Sequence, residues 1–263
     1  MLKITPIGTQ KWVLPVYTIS TMKNKVLLFD LETAPCVSYH WQGMHEQEII
    51  ETIEEGYLLS FAYKFKGDKV RAYSLADFKG DKKKLVEKLH EVLNQADVLI
   101  AHSGKYFDFK WANRAFITYG LKPPTPAKTI DTLAIARSKF NFHSNHLTDL
   151  GKLFKIGQKT ETGGFKLWKA CMAGDKKAFK KMVEYNKNDV ILLEQVYERL
   201  VPWMTNYPVG EVGMFCPKCG GDVQFRGPYQ NKQFIGKRYQ CKKCASWGIS
   251  NKQYRINKEE YVK

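Results

Sequence analysis

The sequence predicts an α/β layer built on a mixed sheet, followed by a small, metal-stapled C-terminal module. Three observations carry that prediction. Strand-like runs cluster before the first amphipathic pattern, helix and strand then alternate, and four cysteines arrive as two C-x2-C pairs near the end.

The elements follow in chain order. Residues 1–24 form a basic, turn-bearing lead-in. Lys25–Leu31 (KVLLFDL) is a short apolar run ending in charge, the pattern of a buried strand. Tyr57–Phe65 and Val70–Ser74 make two more strands, joined through Lys66-Gly67-Asp68 as a hairpin-type connection. Asp81 caps a helix whose apolar positions Leu85, Val86, Leu89, Val92 and Leu93 repeat at helical spacing. Ala96–His102 is a fourth strand. A helix from about Phe109 to Tyr119 comes next, stopped by Gly120 and Pro123-Pro124. Lys128–Ile130 supplies a short fifth strand, and the chain beyond it reads as helical to about Trp203. Composition shifts around Asn206–Gly213, where Pro, Gly and small residues precede the cysteines. The expected domains are therefore 25–205 and 206–263, behind the 1–24 extension.

Hydrophobic residues make up 44% of the 263 and aromatics 13%, enough for a core, so wholesale disorder is excluded. No apolar run approaches the ~20 residues that span a bilayer, and Met1–Ser20 carries no continuous signal-peptide core. A cytoplasmic, membrane-free protein is expected. The net charge is +16, and the 11 basic against 4 acidic residues from Val201 to Lys263 leave a local surplus of +7. Such a chain favours a polyanionic partner, nucleic acid first.

Cys36 and Cys171 stand alone and are expected to be reduced thiols. Cys216, Cys219, Cys241 and Cys244 form two C-x2-C pairs with 21 residues between them. Two such knuckles deliver four thiolates to one tetrahedral Zn2+, so a structural zinc site is expected in preference to disulfides. Basic and aromatic residues interleave through the same stretch (Phe225, Arg226, Tyr229, Lys232, Phe234, Lys237, Arg238, Tyr239, Lys242 and Lys243). They suit auxiliary binding of a single strand, although a small zinc ribbon also needs aromatics for its own core.

Three acidic elements carry the chemistry. Phe29-Asp30-Leu31-Glu32-Thr33 sets two carboxylates at i and i+2 on one face of a strand end, a costly pairing that a hard dication such as Mg2+ or Mn2+ would relieve. Asp108 follows the fourth strand, at the sheet edge where ligands collect in α/β folds, though a lone acid there would cap the next helix. Tyr185 and Asp189 are i and i+4 in a long helical pattern, on one face beside an apolar stripe of Val190, Leu193, Val196 and Tyr197.

Taken together, FDLET, Phe107-Asp108 and Y-x3-D resemble the three motifs of the DEDD 3′–5′ exonucleases, tyrosine subtype, the superfamily of the proofreading domains of family B DNA polymerases. The resemblance runs over about residues 25–200. Segments such as Ser144-Asn145-His146-Leu147 and Thr162–Trp168 look like stand-alone phage-type relatives with a C-terminal cysteine module. The resemblance implies a ribonuclease-H-like mixed sheet flanked by helices. It implies removal of nucleoside 5′-monophosphates from a 3′ end with two Mg2+ or Mn2+ ions. Asp30, Glu32, Asp108 and Asp189 would hold those ions, and Tyr185 would orient the attacking water. DNA is favoured as substrate, single-stranded or frayed. An exoribonuclease or a non-catalytic nucleic-acid-binding module are the alternatives, and a polymerase or replication partner is compatible with the family. One departure is Ser103, where relatives commonly carry Asn five residues before the second-motif acid. Ser103, Thr33 and Phe107 are the expected contacts to the terminal nucleotide, with capping the competing role for Thr33 and core packing the favoured one for Phe107. His102 and His143 are read as structural or surface residues. Asp131 is read as a helix cap, and Lys176, Lys177, Lys180 and Lys181 as a solvated helical face.

Overall fold

In a computed structural model, residues 24–41, 48–157, 163–204, 215–230, 234–249 and 254–255 are described. All but the last residue of the basic lead-in, and Lys232 of the cysteine module, lie outside them. β1 (Val26–Thr33) runs through the middle of a five-stranded sheet. β4 (Leu58–Phe65) pairs antiparallel with β1, and β5 (Arg71–Ser74) antiparallel with β4. On the other side β6 (Val98–Ala101) and β7 (Lys128–Asp131) add in parallel, giving the order β5-β4-β1-β6-β7. The mixed sheet expected from the sequence is thus present.

Helices supply the crossovers that parallel strands require. α1 (Lys82–Leu93) leads to β6, and its cap Asp81 accepts from the Lys84 amide at 3.1 Å. α2 (Asp108–Thr118) leads to β7, after Gly120 has turned the chain at φ +70°. α3 (Thr132–Lys139), α4 (Leu147–Leu153), α5 (Phe165–Met172) and the 25-residue α6 (Lys176–Leu200) follow, and a 3-10 turn ends at Trp203. One hairpin was not anticipated. β2 (Val37–Tyr39) and β3 (Glu51–Glu54) pair beside the sheet; both are short and largely exposed, so burial imprints no strong alternation on them.

The sheet separates two apolar clusters. On one face Leu27, Phe29 and Leu31 pack against α1, α2 and α5. On the other, Leu28, Ile100 and Ile130 pack against α3, α4 and the Val190–Leu200 half of α6. Each fully buried aliphatic side chain stabilises this arrangement by ~1.5–3 kcal/mol. The register has a functional consequence. Since Leu28 faces α6, the period of two puts Asp30 and Glu32 on the same side, where the buried anchor row ends and two carboxylates replace it.

Beyond α6, β8 (Val223–Gln230), β9 (Phe234–Cys241), β10 (Trp247–Ile249) and β11 (Tyr254–Arg255) form a separate antiparallel sheet. Among the described residues no helix is long and apolar enough to cross a membrane.

Candidate active site

Three carboxylates meet at the carboxyl end of β1. One oxygen from each of Asp30, Glu32 and Asp189 lies within 4.8 Å of the others. Asp30 and Glu32 come from the strand, and Asp189 from the buried side of α6 packed over it. Asp30 and Glu32 are partly exposed, whereas Asp189 is 1% exposed. Concentrating three like charges in this way is unfavourable unless a cation or hydrogen-bond donors compensate. The all-oxygen donor set, open on the β1 side, fits a hard divalent cation.

Asp108 enters differently from the other acids. It is the first residue of α2, with Phe107 preceding the helix in the cap position, and it is 2% exposed. Its Oδ1 accepts the Leu31 amide at 3.1 Å. Rather than capping α2, as a lone acid here would, this carboxylate ties α2 to the β1 backbone between Asp30 and Glu32. It lies beside the three-carboxylate group without belonging to it.

Asn186 is the residue that sequence reasoning passed over. Wholly buried one position after Tyr185, it donates from Nδ2 to Asp30 Oδ2 at 2.6 Å and to the Asp30 carbonyl at 3.2 Å. Its Oδ1 accepts from Ser60 Oγ at 3.2 Å, and Ser60 is itself fully buried on β4. The chain Ser60–Asn186–Asp30 fixes the orientation of one site carboxylate. The only sequence signal was a polar Asn inside an otherwise apolar stripe.

Tyr185 stands one helical turn before Asp189, half-buried, and Trp168 of α5 holds its ring edge-on at 6.2 Å between centroids and 72° between planes. Trp168 was also unassigned. Its segment resembled relatives, yet only packing shows that it backs the tyrosine.

The remaining expected residues sort clearly. Asp131 caps α3, accepting from Leu133 and Ala134, and its oxygens also accept the Ser103 and Lys105 amides at 3.0 and 3.1 Å. With four backbone donors it is a structural anchor, as read. Ser103 has a left-handed backbone, φ +66°, and the Asp131 contact holds it there. His102 Nδ1 lies 2.9 Å from Thr132 Oγ1, a structural pairing. Phe107 is 40% exposed, with its ring 6.1 Å from Trp111. The core-packing reading of Phe107 is corrected, since the turn into α2 directs it outward. Thr33 closes β1 at an irregularity in the register with β4, partly exposed beside Glu32. Lys176, Lys177, Lys180 and Lys181 are exposed, as expected of a solvated face.

The second cluster is the four thiols. One sulfur each from Cys216, Cys219, Cys241 and Cys244 lies within 4.8 Å of the rest, so these cysteines could form a zinc site. Close sulfur pairs at 3.5 Å (Cys219 and Cys241) and 3.8 Å (Cys216 and Cys244) are too long for disulfides. Lys218, 6% exposed between the first two, donates to the carbonyls of Pro202 and Met204 at 3.2 and 2.8 Å. Burial lowers the pKa of its ammonium, and the neighbouring cysteines work against that shift. Tyr239, expected among the nucleic-acid contacts, is 4% exposed and belongs to the module's core. The side chains of Tyr229 and Phe234 lie outside the described residues.

No curated protein matches the chain. A solved structure, the family B DNA polymerase from the hyperthermophilic archaeon Pyrobaculum calidifontis, is similar with a TM-score of 0.51 at 13% identity. The match takes in 68% of this chain and 25% of the polymerase, so it speaks for the fold. A family model described as the RNase_H superfamily matches residues 47–201, a span that holds Asp108, Tyr185 and Asp189 and begins after Asp30 and Glu32. With more than half of its length matched, the chain belongs to the RNase_H superfamily.

Proposed function

We propose that the chain is a metal-dependent 3′–5′ exonuclease of the tyrosine subtype, acting preferentially on single-stranded or frayed DNA and releasing nucleoside 5′-monophosphates. One observation carries the reading. Carboxylates separated by 157 positions, Glu32 and Asp189, converge with Asp30 within 4.8 Å, and Tyr185 stands a turn away. The superfamily membership supports nuclease chemistry in general, and the polymerase neighbour is compatible with a role in DNA replication.

Each residue then has a task. Asp30, Glu32 and Asp189 would hold one divalent cation, and Asp108 would complete the donor set for a second. Bound divalent cations would neutralise the scissile phosphate and lower the pKa of the attacking water. Tyr185 is too weak a base at neutral pH, its free pKa being about 10, so its hydroxyl orients the water in line. Thr33, Ser103 and Phe107 would contact the terminal nucleotide, and the exposed Phe107 ring would offer a surface to its base. Residues 206–263 form a zinc-ribbon domain that adds affinity for the strand, with Zn2+ held by Cys216, Cys219, Cys241 and Cys244.

Matched DNA and RNA oligonucleotides, labelled at either end and incubated with Mg2+ or Mn2+, test the reading. Single-nucleotide release from DNA 3′ ends supports it. Release from RNA alone would assign an exoribonuclease, and metal-independent binding without hydrolysis would assign a binding module.

A further inference from the structure

The C-terminal sheet has two unlike faces. Phe225 lies opposite Tyr239, Tyr239 opposite Gly248, and Val223 opposite Cys241, so these residues share the cysteine side. There Phe225 meets the Tyr239 ring edge-on at 6.4 Å and 81°. The same ring fills the space that Gly248 leaves, because a Cβ at that position would lie 2.3 Å from it. Buried Tyr239 and Cys241 make this side the module's small core, with Phe225 at its half-exposed edge.

Among the described residues the opposite face is exposed. Gln224 pairs with Gln240, Gln240 with Trp247, and Arg238 with Ile249, placing a polar row and an indole side by side across three strands. Gln224 and Arg238 are exposed, and Trp247 is 53% exposed. Gln240 is steadied by its amide contact to the Ala245 carbonyl at 3.5 Å. A small module short of core residues leaves its largest aromatic in solvent. The surrounding stretch carries the +7 surplus, which complements phosphate.

We propose that this face is a platform for single-stranded nucleic acid. Trp247 stacks on a base, Arg238 pairs with phosphate, and the Gln224 and Gln240 amides meet base edges. It extends the exonuclease reading and takes its substrate class from it. The platform serves nucleotides upstream of the cleaved bond. Lys218 ties the module to the carbonyls just past α6, and the 11 residue steps from Asp189 to Leu200 span about 16 Å of helix. A dinucleotide in the carboxylate site is too short to bridge that span.

Fluorescence anisotropy with a labelled 20-mer DNA, on the full chain with no Mg2+ or Mn2+ added, separates the platform from catalysis. Trp247→Ala should weaken binding about 5- to 100-fold, the range of a lost base–aromatic stack, and Trp247→Phe should restore most of it. Arg238→Gln should make the slope of log K against log salt shallower by about 0.7. Dinucleotide hydrolysis should stay at the wild-type rate in both. Unchanged affinity in zinc-loaded Trp247→Ala overturns the proposal, as does an unchanged salt slope in Arg238→Gln should the tryptophan variant lose its zinc. Self-association abolished by Trp247→Ala, with DNA affinity intact, would assign the face to a second copy instead. Binding without hydrolysis would refute the exonuclease reading and leave the platform standing.

Discussion

Asn186 and Asp30, 156 positions apart, are joined by a 2.6 Å hydrogen bond from Nδ2 to Oδ2, and a second bond reaches the Asp30 carbonyl. One buried amide thus sets both the strand backbone and the carboxylate it carries. Asn186→Leu removes these donors and leaves Ser60 Oγ without its buried partner. The melting temperature should fall, consistent with a cost of about 1–3 kcal/mol, and metal affinity or turnover should drop about 10- to 100-fold. Asn186→Gln should not rescue, its amide being displaced by a methylene. Mn2+ titration by calorimetry, beside thermal melts, checks both; wild-type metal affinity would show that the bond only stabilises the fold.

Asp30→Ala and Asp189→Ala should abolish cleavage while the protein stays folded. In metal-free buffer their melting temperatures should hold or rise, since each relieves repulsion among carboxylates packed within 4.8 Å. Circular dichroism melts with and without Mg2+ read this directly. Near-normal hydrolysis by both would end the two-metal reading.

Tyr185→Phe keeps the ring that rests against Trp168 and loses only the hydroxyl. Single-turnover hydrolysis should slow by about 10- to 1,000-fold with metal affinity unchanged. Trp168→Ala should act in the same direction by loosening the ring. Full activity in Tyr185→Phe would reduce the tyrosine to packing.

The thiols give a chemical check. Cys171 lies on the buried face of α5, and burial first, then the nearby Asp175 and Glu32 carboxylates, pushes its pKa up to about 11. It is therefore a neutral thiol at pH 8 and should resist iodoacetamide. Its reactivity should rise only in strongly alkaline buffer, as the pH nears the raised value. Cys36 is exposed and should be alkylated first in the zinc-loaded protein. Mass spectrometry of the labelled peptides decides, and rapid labelling of Cys171 at pH 8 would contradict its burial.

Removing residues after about 206 should spare the carboxylate site, whose members all precede Val190 and whose core clusters end at Met204 among the described residues. The loss of the Lys218 contacts exposes the Pro202 and Met204 carbonyls to water, a small penalty. Affinity for long strands should weaken while very short substrates are still cut. An unfolded truncation would mean instead that the module is part of the nuclease core.

The sequence by itself determined the five strands of the main sheet, the helical pattern around them, the zinc-type cysteine spacing and four candidate acids, because each leaves a local mark. Apolar period, capping residues and C-x2-C spacing act over a few positions. β1 read as buried because its residues are apolar on both faces, and α6 read as helix from its 3.6 period. What only tertiary structure decided is everything that depends on distant segments meeting. Asp131 and Asp108 both sit at strand or helix ends in the sequence. Packing commits the first to four backbone amides, and it sets the second on the Leu31 amide beside the other acids. Asn186 had no role in the sequence reading, and only the fold brings Ser60 and Asp30 to it. Tyr239 and Trp247 are both aromatic residues in the same small module, yet register alone sends one inward and the other to the open face. The physical reason is common to all of them. A hydrogen bond or a buried face is a relation between two places in space, and one-dimensional order specifies only the groups available to make it.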